Sequence, residues 1–205
     1  MKNAQTIRLL RVDASPRRKG SQSRRWADRV ESELRQSVGP LEVMNRDLAD
    51  GVPLLSEDAL AGIFKAGEDQ SEAERRALAP SVELVQELQT ADAVLLALPI
   101  HNFHVPAAFK AWIDLVVRSR LTFRFGPDGP EGLVANKPVF IVVTSGGTQL
   151  HGPLDFITSW LTHVLSFIGL RDLRWVEADA MSKKGEGAER ALEQRVQALT
   201  QAGAA

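Results

Sequence analysis

The chain has 205 residues, of which 44% are apolar and 25% charged, and its formal net charge is -1. This composition is that of a globular protein, and a charge near zero provides no overall field to attract nucleic acid or an anionic membrane. Cysteine and tyrosine are both absent, which excludes disulfides, iron–sulfur ligation, a cysteine nucleophile and a tyrosine acid or base.

Signals for membrane insertion, secretion and metal binding are missing from the sequence. Its apolar runs are far shorter than the roughly 20 residues that span a bilayer. The first residues, MKNAQTIRLLRVD, lack the apolar core of a signal peptide, so we expect a cytoplasmic protein. The four histidines do not occur at HxxxH or HExxH spacing, and no metal site is expected.

Hydrophobic periodicity predicts strands that alternate with amphipathic helices along the whole chain. The predicted strands cover residues 7–12, 41–45, 93–98, 138–143 and 171–178. The predicted helices cover residues 21–38, 71–89, 106–119, 153–168 and 186–201.

Two longer connections interrupt this alternation. Residues 47–70 are rich in glycine and predict a long excursion with a short helix near 56–65. Such excursions are usually functional or part of an interface. Residues 121–136, which contain GPDGPEG, are predicted to form turns.

Several residues mark the predicted helix ends. Ser71 and Glu74 fit a capping box, whereas Pro80 is expected to kink or split the helix that they begin. Pro106 is placed in the first turn of its helix, and Gly169 is expected to stop the helix before it.

The alternating pattern predicts an α/β fold: a doubly wound, five-stranded parallel sheet with helices on both faces. Its expected strand order is 2-1-3-4-5, within a single domain over residues 1–205. Because ligands of such sheets bind at the carboxyl ends of strands beside the switch point, the loops after strands 1, 3 and 4 are expected to converge.

The first loop, residues 13–23, joins a strand to a helix and is rich in hydroxyl groups. Such a loop suits a phosphate held at the helix N-terminus, although it matches neither GxxxxGK[ST] nor GxGxxG. Plain N-capping by Ser21 is the alternative. The cations Arg17, Arg18 and Lys19 are expected to be solvated or to steer anions.

The second loop, residues 99–103, follows an apolar strand and reads PIHNF. Its backbone N–H groups, one amide and flat rings suit a flat, hydrogen-bonding ring system. In the alternative, Asn102 only forms a turn, Phe103 packs in the core and His101 is a partly exposed loop residue.

The third loop, residues 144–147, reads TSGG, and its two glycines let a backbone approach a ligand closely. An ordinary loop that needs positive φ is the alternative. Converging loops that offer a phosphate cradle, a backbone-lined slot and a diglycine edge describe a mononucleotide site of flavodoxin type.

From about Leu10 to Ala178 the sequence resembles the FMN-dependent NADH:quinone oxidoreductases, also called FMN-dependent NADH-azoreductases, of the flavodoxin-like fold. The blocks that carry the resemblance are SPR…GSQSR, RDL…PLL at 46–55, PIHNFHVPAAFKAWID at 99–114, LTFRFGPDGPEGL at 121–133 and TSGG. The resemblance implies a homodimer with bound FMN near the subunit interface, NADH as hydride donor, and quinones or azo compounds as acceptors in a ping-pong reaction. NADPH stays open as a donor, since the first loop is basic.

The resemblance also assigns residues to the site. Those expected to bind FMN are Ser15, Ser21, Gln22 and Ser23 at the phosphate, Pro99, Ile100, His101, Asn102 and Phe103 along the isoalloxazine ring, and Thr144, Ser145, Gly146 and Gly147 at its pyrimidine side. Phe123 and Phe125 are expected near the substrate mouth.

The sequence departs from the family pattern at three of these positions. His101 stands where tyrosine is usual, and it is either a stacking wall or a proton donor. Ser145 stands where arginine is frequent, and Phe125 occupies a position that is often tyrosine.

Other functional classes of the same fold fit less well. A flavodoxin-type electron carrier without its own substrate is the main alternative, but carriers are usually acidic around the flavin. A phospho-receiver needs a carboxylate cluster after strands 1 and 3, where only Asp13 stands. A low-molecular-weight phosphatase needs the absent cysteine.

Overall fold

A computed structural model of the chain describes residues 6–180 and 187–201. The strands are β1 Ile7–Asp13, β2 Leu41–Asp47, β3 Ala93–Pro99, β4 Phe123–Gly126, β5 Gly129–Gly132, β6 Val139–Thr144 and β7 Leu173–Ala178. The helices are α1 Gln22–Val38, α2 Glu57–Ile63, α3 Glu72–Thr90, α4 Ala107–Val116, α5 Thr158–Phe167 and α6 Ala188–Gln201. No helix within the described ranges has both the length and the apolar character needed to cross a bilayer.

The main sheet is parallel and has five strands in the order β2-β1-β3-β6-β7. Apart from the separate hairpin β4–β5, this is the predicted order 2-1-3-4-5, and the predicted fold class is confirmed. The register pairs Asp13 with Ala97 and Pro99 with Thr144. The carboxyl ends of β1, β3 and β6 therefore lie side by side, as the convergence of the three loops requires.

Alternate residues of the strands bury their side chains on opposite faces of the sheet. Leu9 belongs to the cluster beneath α1 and α6, whereas the adjacent Leu10 belongs to the larger cluster beneath α3, α4 and α5. Full burial of such side chains stabilises the fold by about 1.5–3 kcal/mol each. The two clusters hold the strand ends, and hence the loops, on a rigid base.

The helix α3 corrects one prediction. Ser71 and Glu74 form the expected capping box, in which the Glu74 N–H donates to Ser71 Oγ over 3.2 Å and the Ser71 N–H donates to Glu74 Oε2 over 2.8 Å. Pro80 does not split the helix, which runs unbroken from Glu72 to Thr90. Buried side chains on both sides of the proline, including Leu78 and Leu84, keep the two halves packed.

Two helices are shorter than predicted. The helix α5 begins at Thr158 rather than near residue 153, because the Asp155 carboxylate accepts the N–H groups of Ile157 and Thr158 over 2.9 and 3.0 Å. Pro106 precedes α4 instead of lying in its first turn, and α4 ends at Val116 rather than at 119.

Two further boundaries in the second half differ from the prediction. Residues 121–136 contain the antiparallel hairpin β4–β5, where only turns were predicted. The strand β7 begins at Leu173 rather than at 171, since the N–H groups of Arg171 and Asp172 donate to Asn136 Oδ1. The short helix α2 and the stop at Gly169, where φ is +112°, agree with expectation.

Candidate functional site

The first, second and third loops border one crevice at the carboxyl edge of the sheet, with a volume of about 660 Å³. Predicted site residues from all three loops line it: Ser15, Ser21, Gln22, Pro99, Ile100, His101, Thr144, Ser145 and Gly146. The predicted convergence of the loops therefore exists in the folded chain.

The first loop brings hydroxyl groups to the N-terminus of α1. Ser21 is the N-cap residue, and its Oγ lies 3.1 Å from that of Ser23. Ser15 is buried, and its Oγ accepts the N–H of Arg17 over 3.2 Å. The first turn of α1 carries no acidic side chain. This end of the crevice therefore combines the positive end of a helix dipole with hydroxyl donors, which suits an anion.

Arg24 holds the first loop against the neighbouring strands. Its Nη2 donates to Asp47 Oδ1 over 2.6 Å and to the carbonyl of Ser15 over 2.8 Å, and its Nη1 lies 3.4 Å from Asp13. Partial burial alone would raise the pKa of Asp47, but the hydrogen bonds from Arg24 and the Ala49 N–H outweigh it and lower that pKa. The carboxylates beside the loop, Asp13 and Asp47, are thus already in ion pairs with Arg24.

Two further cations extend the positive character of this end. Arg17 and Arg25 both line the crevice, and Arg25 Nη2 lies 2.6 Å from Glu189 of α6. Arg18, in contrast, is bonded to Asp50 outside the crevice. Arg17 is therefore better placed than Arg18 to act on a bound anion.

The second loop is a tight turn of type I′. The His101 N–H donates to the His104 carbonyl over 2.8 Å, and the His104 N–H returns to the His101 carbonyl over 3.0 Å. Between them Asn102 and Phe103 have φ of +48° and +68°, a left-handed conformation that is costly for residues other than glycine. Within the described residues, the N–H groups of Asn102 and Phe103 have no acceptor, so the turn leaves two donors available for a ligand.

The third loop is fixed by its own serine. Ser145 Oγ donates to the Thr148 carbonyl and accepts the Ala180 N–H over 3.0 Å. A Cβ built on Gly146 meets no heavy atom within 4 Å. Packing against the protein therefore does not demand glycine at 146, and its missing side chain keeps the edge of the crevice open.

Several predicted site residues do not line the crevice. Ser23 is fully buried behind Ser21, and Asn102, Phe103 and Gly147 lie in the bordering loops without lining it. Phe123 is buried in contact with Phe167, with ring centroids 4.6 Å apart. Phe125 is 74% exposed and meets Phe123 edge to face.

Sequence reasoning missed other lining residues, namely Pro16, Arg25, Trp26 and Ala178. Trp26 stands four residues before Val30 on the apolar face of α1, a spacing that predicts a core residue, and it is only 3% exposed. Trp26 lies one turn after Gln22, on the face of α1 that borders the first loop. This spacing is the sequence signal that could have placed Trp26 at the crevice. The Arg25 guanidinium lies over the Trp26 ring, 5.2 Å from its centroid.

Ionisable side chains around the crevice are not grouped for metal binding. In the part of the chain that the structure describes, no cluster of three or more His, Asp or Glu side chains is placed to hold a metal ion.

Comparison with known proteins identifies the family. A family model described as flavodoxin-like fold matches residues 7–202. The "FMN-dependent NADH:quinone oxidoreductase 1" of Colwellia psychrerythraea is 44% identical over 86% of this chain and 92% of its own length. The "FMN-dependent NADH:quinone oxidoreductase" of Thiobacillus denitrificans is 43% identical over 89% of both chains.

Solved structures agree on the fold. An azoreductase from Bacillus anthracis superimposes with a TM-score of 0.83 at 22% identity, over 97% of this chain and 99% of its own. An FMN-dependent NADH-azoreductase of the same species, solved in complex with FMN, gives a TM-score of 0.80 at 20% identity over 97% of each chain. The chain belongs to the flavodoxin-like fold family and, within it, to the family of the FMN-dependent NADH:quinone oxidoreductases.

Proposed function

We propose that this chain is an FMN-dependent oxidoreductase that passes two electrons from NADH to quinones and azo compounds. The observation that carries the proposal is a single crevice with an anion cradle at one end and, bordering its other end, a turn whose Asn102 and Phe103 N–H groups have no acceptor among the described residues. The activity in the names of the relatives at 44% and 43% identity supports it.

The cradle fits the phosphate monoester of FMN. At neutral pH this group carries a charge near −2, which the N-terminus of α1 and the nearby Arg17 and Arg25 favour. Ser15, Ser21 and Gln22 would donate to its oxygens. Ser23 would act indirectly, because its hydroxyl lies 3.1 Å behind that of Ser21.

The turn fits the polar edge of an isoalloxazine ring. The unpaired N–H groups of Asn102 and Phe103 would donate to acceptors on that edge, and the fixed φ values preorganise them. Gly146 and Gly147 would border the pyrimidine side, where backbone dipoles stabilise negative charge. The His101 ring, which lines the crevice, would form a wall beside the reacting face.

FMN, when bound, supplies the hydride acceptance and the two-electron delivery of the reaction, in two half-reactions that share one slot. The protein contributes binding and electrostatics, so no side-chain acid is required. This chemistry is tested by initial-rate kinetics on FMN-loaded protein, with NADH and a benzoquinone varied together. Parallel double-reciprocal lines are expected from a shared slot, whereas intersecting lines would contradict it.

The same assay separates the enzyme from an electron carrier of the same fold. A carrier without its own small-molecule substrate would show no saturable oxidation of NADH. Repeating the assay with NADPH decides which nicotinamide is the hydride donor. The cations of the first loop would suit the 2′-phosphate of NADPH, whereas the names of the relatives specify NADH.

We also propose that the chain forms one domain and associates as a homodimer. Large apolar side chains stand exposed before α2, directly after it and on the hairpin, among them Leu54 at 80%, Phe64 at 68% and Phe125 at 74%. Exposed apolar groups of this kind mark interaction surfaces. Sedimentation equilibrium would give twice the mass of 22.5 kDa for a dimer. A cytoplasmic location stays a prediction, which cell fractionation would test.

A further inference from the structure

A buried cation without a carboxylate lies away from the crevice. Arg118 is 3% exposed, and its Nη1 donates to Ser81 Oγ. Its Nε is buried without any partner, and the described residues provide no ion pair for its guanidinium. Arg11, also buried, shows the usual arrangement, with carboxylates of Asp13 and Asp28 at 3.0 and 2.7 Å.

Hydrogen bonds fix the backbone around Arg118 on both sides of the residue. Its N–H donates to Thr122 Oγ1 over 2.8 Å, and its carbonyl accepts the N–H groups of Leu121 and Thr122 over 3.2 and 2.9 Å. Since α4 ends just before it and these bonds close a turn just after it, the backbone at Arg118 is held in place. Burial lowers the pKa of Arg118, but an arginine stays protonated, so its charge is retained.

Arg118 borders a cavity of about 580 Å³ between α3 and the turn after α4, called here the Arg118 cavity. Its apolar lining includes Leu78, Val82 and Leu121, and its cationic lining includes Arg75 and Arg120. It shares no lining residue with the crevice.

The acidic side chain in this lining is already engaged. Glu83 Oε1 lies 2.6 Å from the guanidinium of Arg46 on the neighbouring strand β2. Lys65, which also borders the cavity, is paired with Glu74 at 2.5 Å. The positive charges of Arg75, Arg118 and Arg120 therefore remain uncompensated within the described lining.

We propose that the Arg118 cavity binds a small organic anion. Its carboxylate or similar oxyanion accepts hydrogen bonds from the Arg118 guanidinium, and its apolar body rests on Leu78, Val82 and Leu121. A buried charge whose donors are mostly unused destabilises the fold unless a counter-ion neutralises it. The planar guanidinium of arginine matches the geometry of an oxyanion. Arg118 is buried within a single chain, so a ligand reaches its side chain only if it is small enough to enter the cavity. The proposal does not depend on the flavin chemistry.

Calorimetric titration of the purified protein with sodium benzoate tests this, with inorganic phosphate and chloride compared at equal ionic strength. We expect one saturable site for benzoate, with phosphate at least about tenfold weaker because it lacks an apolar body. Equal affinity for phosphate and benzoate, or no saturable binding at millimolar benzoate, would overturn the proposal.

Two neighbouring arginines provide a matched pair of variants. Arg75 borders the cavity, whereas Arg76 pairs with Glu72 on the exposed side of α3 and does not border it. Arg75→Gln should weaken benzoate about threefold or more, and Arg76→Gln should leave its affinity unchanged. Equal effects of the two variants would indicate a general charge effect and contradict the site.

Arg118→Met, which keeps an unbranched stem but removes the guanidinium, should abolish the benzoate site. If this variant does not fold, the pair Arg75→Gln and Arg76→Gln still decides the outcome. The alternative occupant of the Arg118 cavity is a side chain from a second copy of this chain. Sedimentation of Arg118→Met tests this alternative, because it measures the oligomeric state. A dimer that dissociates on this substitution would overturn the small-molecule proposal.

Discussion

The N–H of Ile100 donates to the carbonyl of Thr144 over 2.8 Å, which joins the first residue after β3 to the last residue of β6. The tight turn at Asn102 and Phe103 begins two residues after this bond. The sheet therefore fixes the orientation of the Asn102 and Phe103 N–H groups. This relationship motivates the first prediction.

Phe103 is expected to hold a strained backbone that glycine would relax. Both Phe103→Ala and Phe103→Gly delete the ring, so their difference isolates the cost of φ at +68°. Urea unfolding should show the glycine variant to be more stable than the alanine variant by about 1 kcal/mol. An alanine variant of equal or greater stability would mean that this position is not left-handed.

Arg17 is expected to favour FMN through its phosphate. Arg17→Gln should weaken FMN about three- to tenfold, with an effect that declines as salt is added. Riboflavin, which has no phosphate, should bind this variant as it binds the unmodified chain. Arg18→Gln is the control, since Arg18 is already bonded to Asp50. Fluorescence quenching of both flavins measures the affinities, and equal losses for FMN and riboflavin would refute a phosphate contact.

His101 is expected to act as a wall and not as a proton donor. Its ring lines the crevice and has no hydrogen-bond partner within the described residues. His101→Phe should therefore retain kcat/KM for NADH and quinone within about threefold. The dependence of kcat/KM on pH between about pH 6 and 8 should be unchanged. A loss of about two orders of magnitude or more would assign proton donation to the imidazole.

Asp155 is expected to make the start of α5 sensitive to acid. Burial alone would raise its pKa, but the Thr158 hydroxyl and the N–H groups of Thr158, His151 and Ile157 outweigh it and lower the pKa from its usual 3.8 to about 2. Because the folded-state pKa is depressed, the stabilisation is complete above the unfolded pKa and is lost as the pH falls through the folded value.

The variant Asp155→Ala measures this contribution. Its free energy of unfolding should be about 1 kcal/mol lower than that of the unmodified chain near neutral pH. In urea titrations the difference should stay constant above about pH 5 and shrink below about pH 4. A difference that is the same at pH 6 and pH 3 would show that the carboxylate charge does not contribute.

The sheet and the three loops could be predicted because their signals are local. Apolar runs such as 93–98 indicate buried strands, and the alternation with helices implies the strand order. The convergence of the loops then follows from the order alone, which is why residues as distant as Ser15 and Ser145 could be assigned to one site.

What could not be predicted depends on contacts distant in sequence. The strand β5 consists of Gly129–Gly132, which has little strand propensity, and it forms by pairing with Phe123–Gly126. A Cβ on Gly132 would lie 2.3 Å from the Gly169 nitrogen, so glycine is needed there for close packing. Helical spacing alone could not show that Trp26 also borders the crevice. No sequence pattern indicates that Arg118 is buried without a carboxylate.

The binding of FMN by the purified chain, and the oxidation of NADH by the FMN-loaded chain, test the central claim most directly. We expect a protein that binds FMN at micromolar concentration or tighter, with riboflavin weaker, and that oxidises NADH at a rate that saturates with a benzoquinone. A folded protein that stays colourless with micromolar FMN, or that binds it without turning over NADH, would contradict the account.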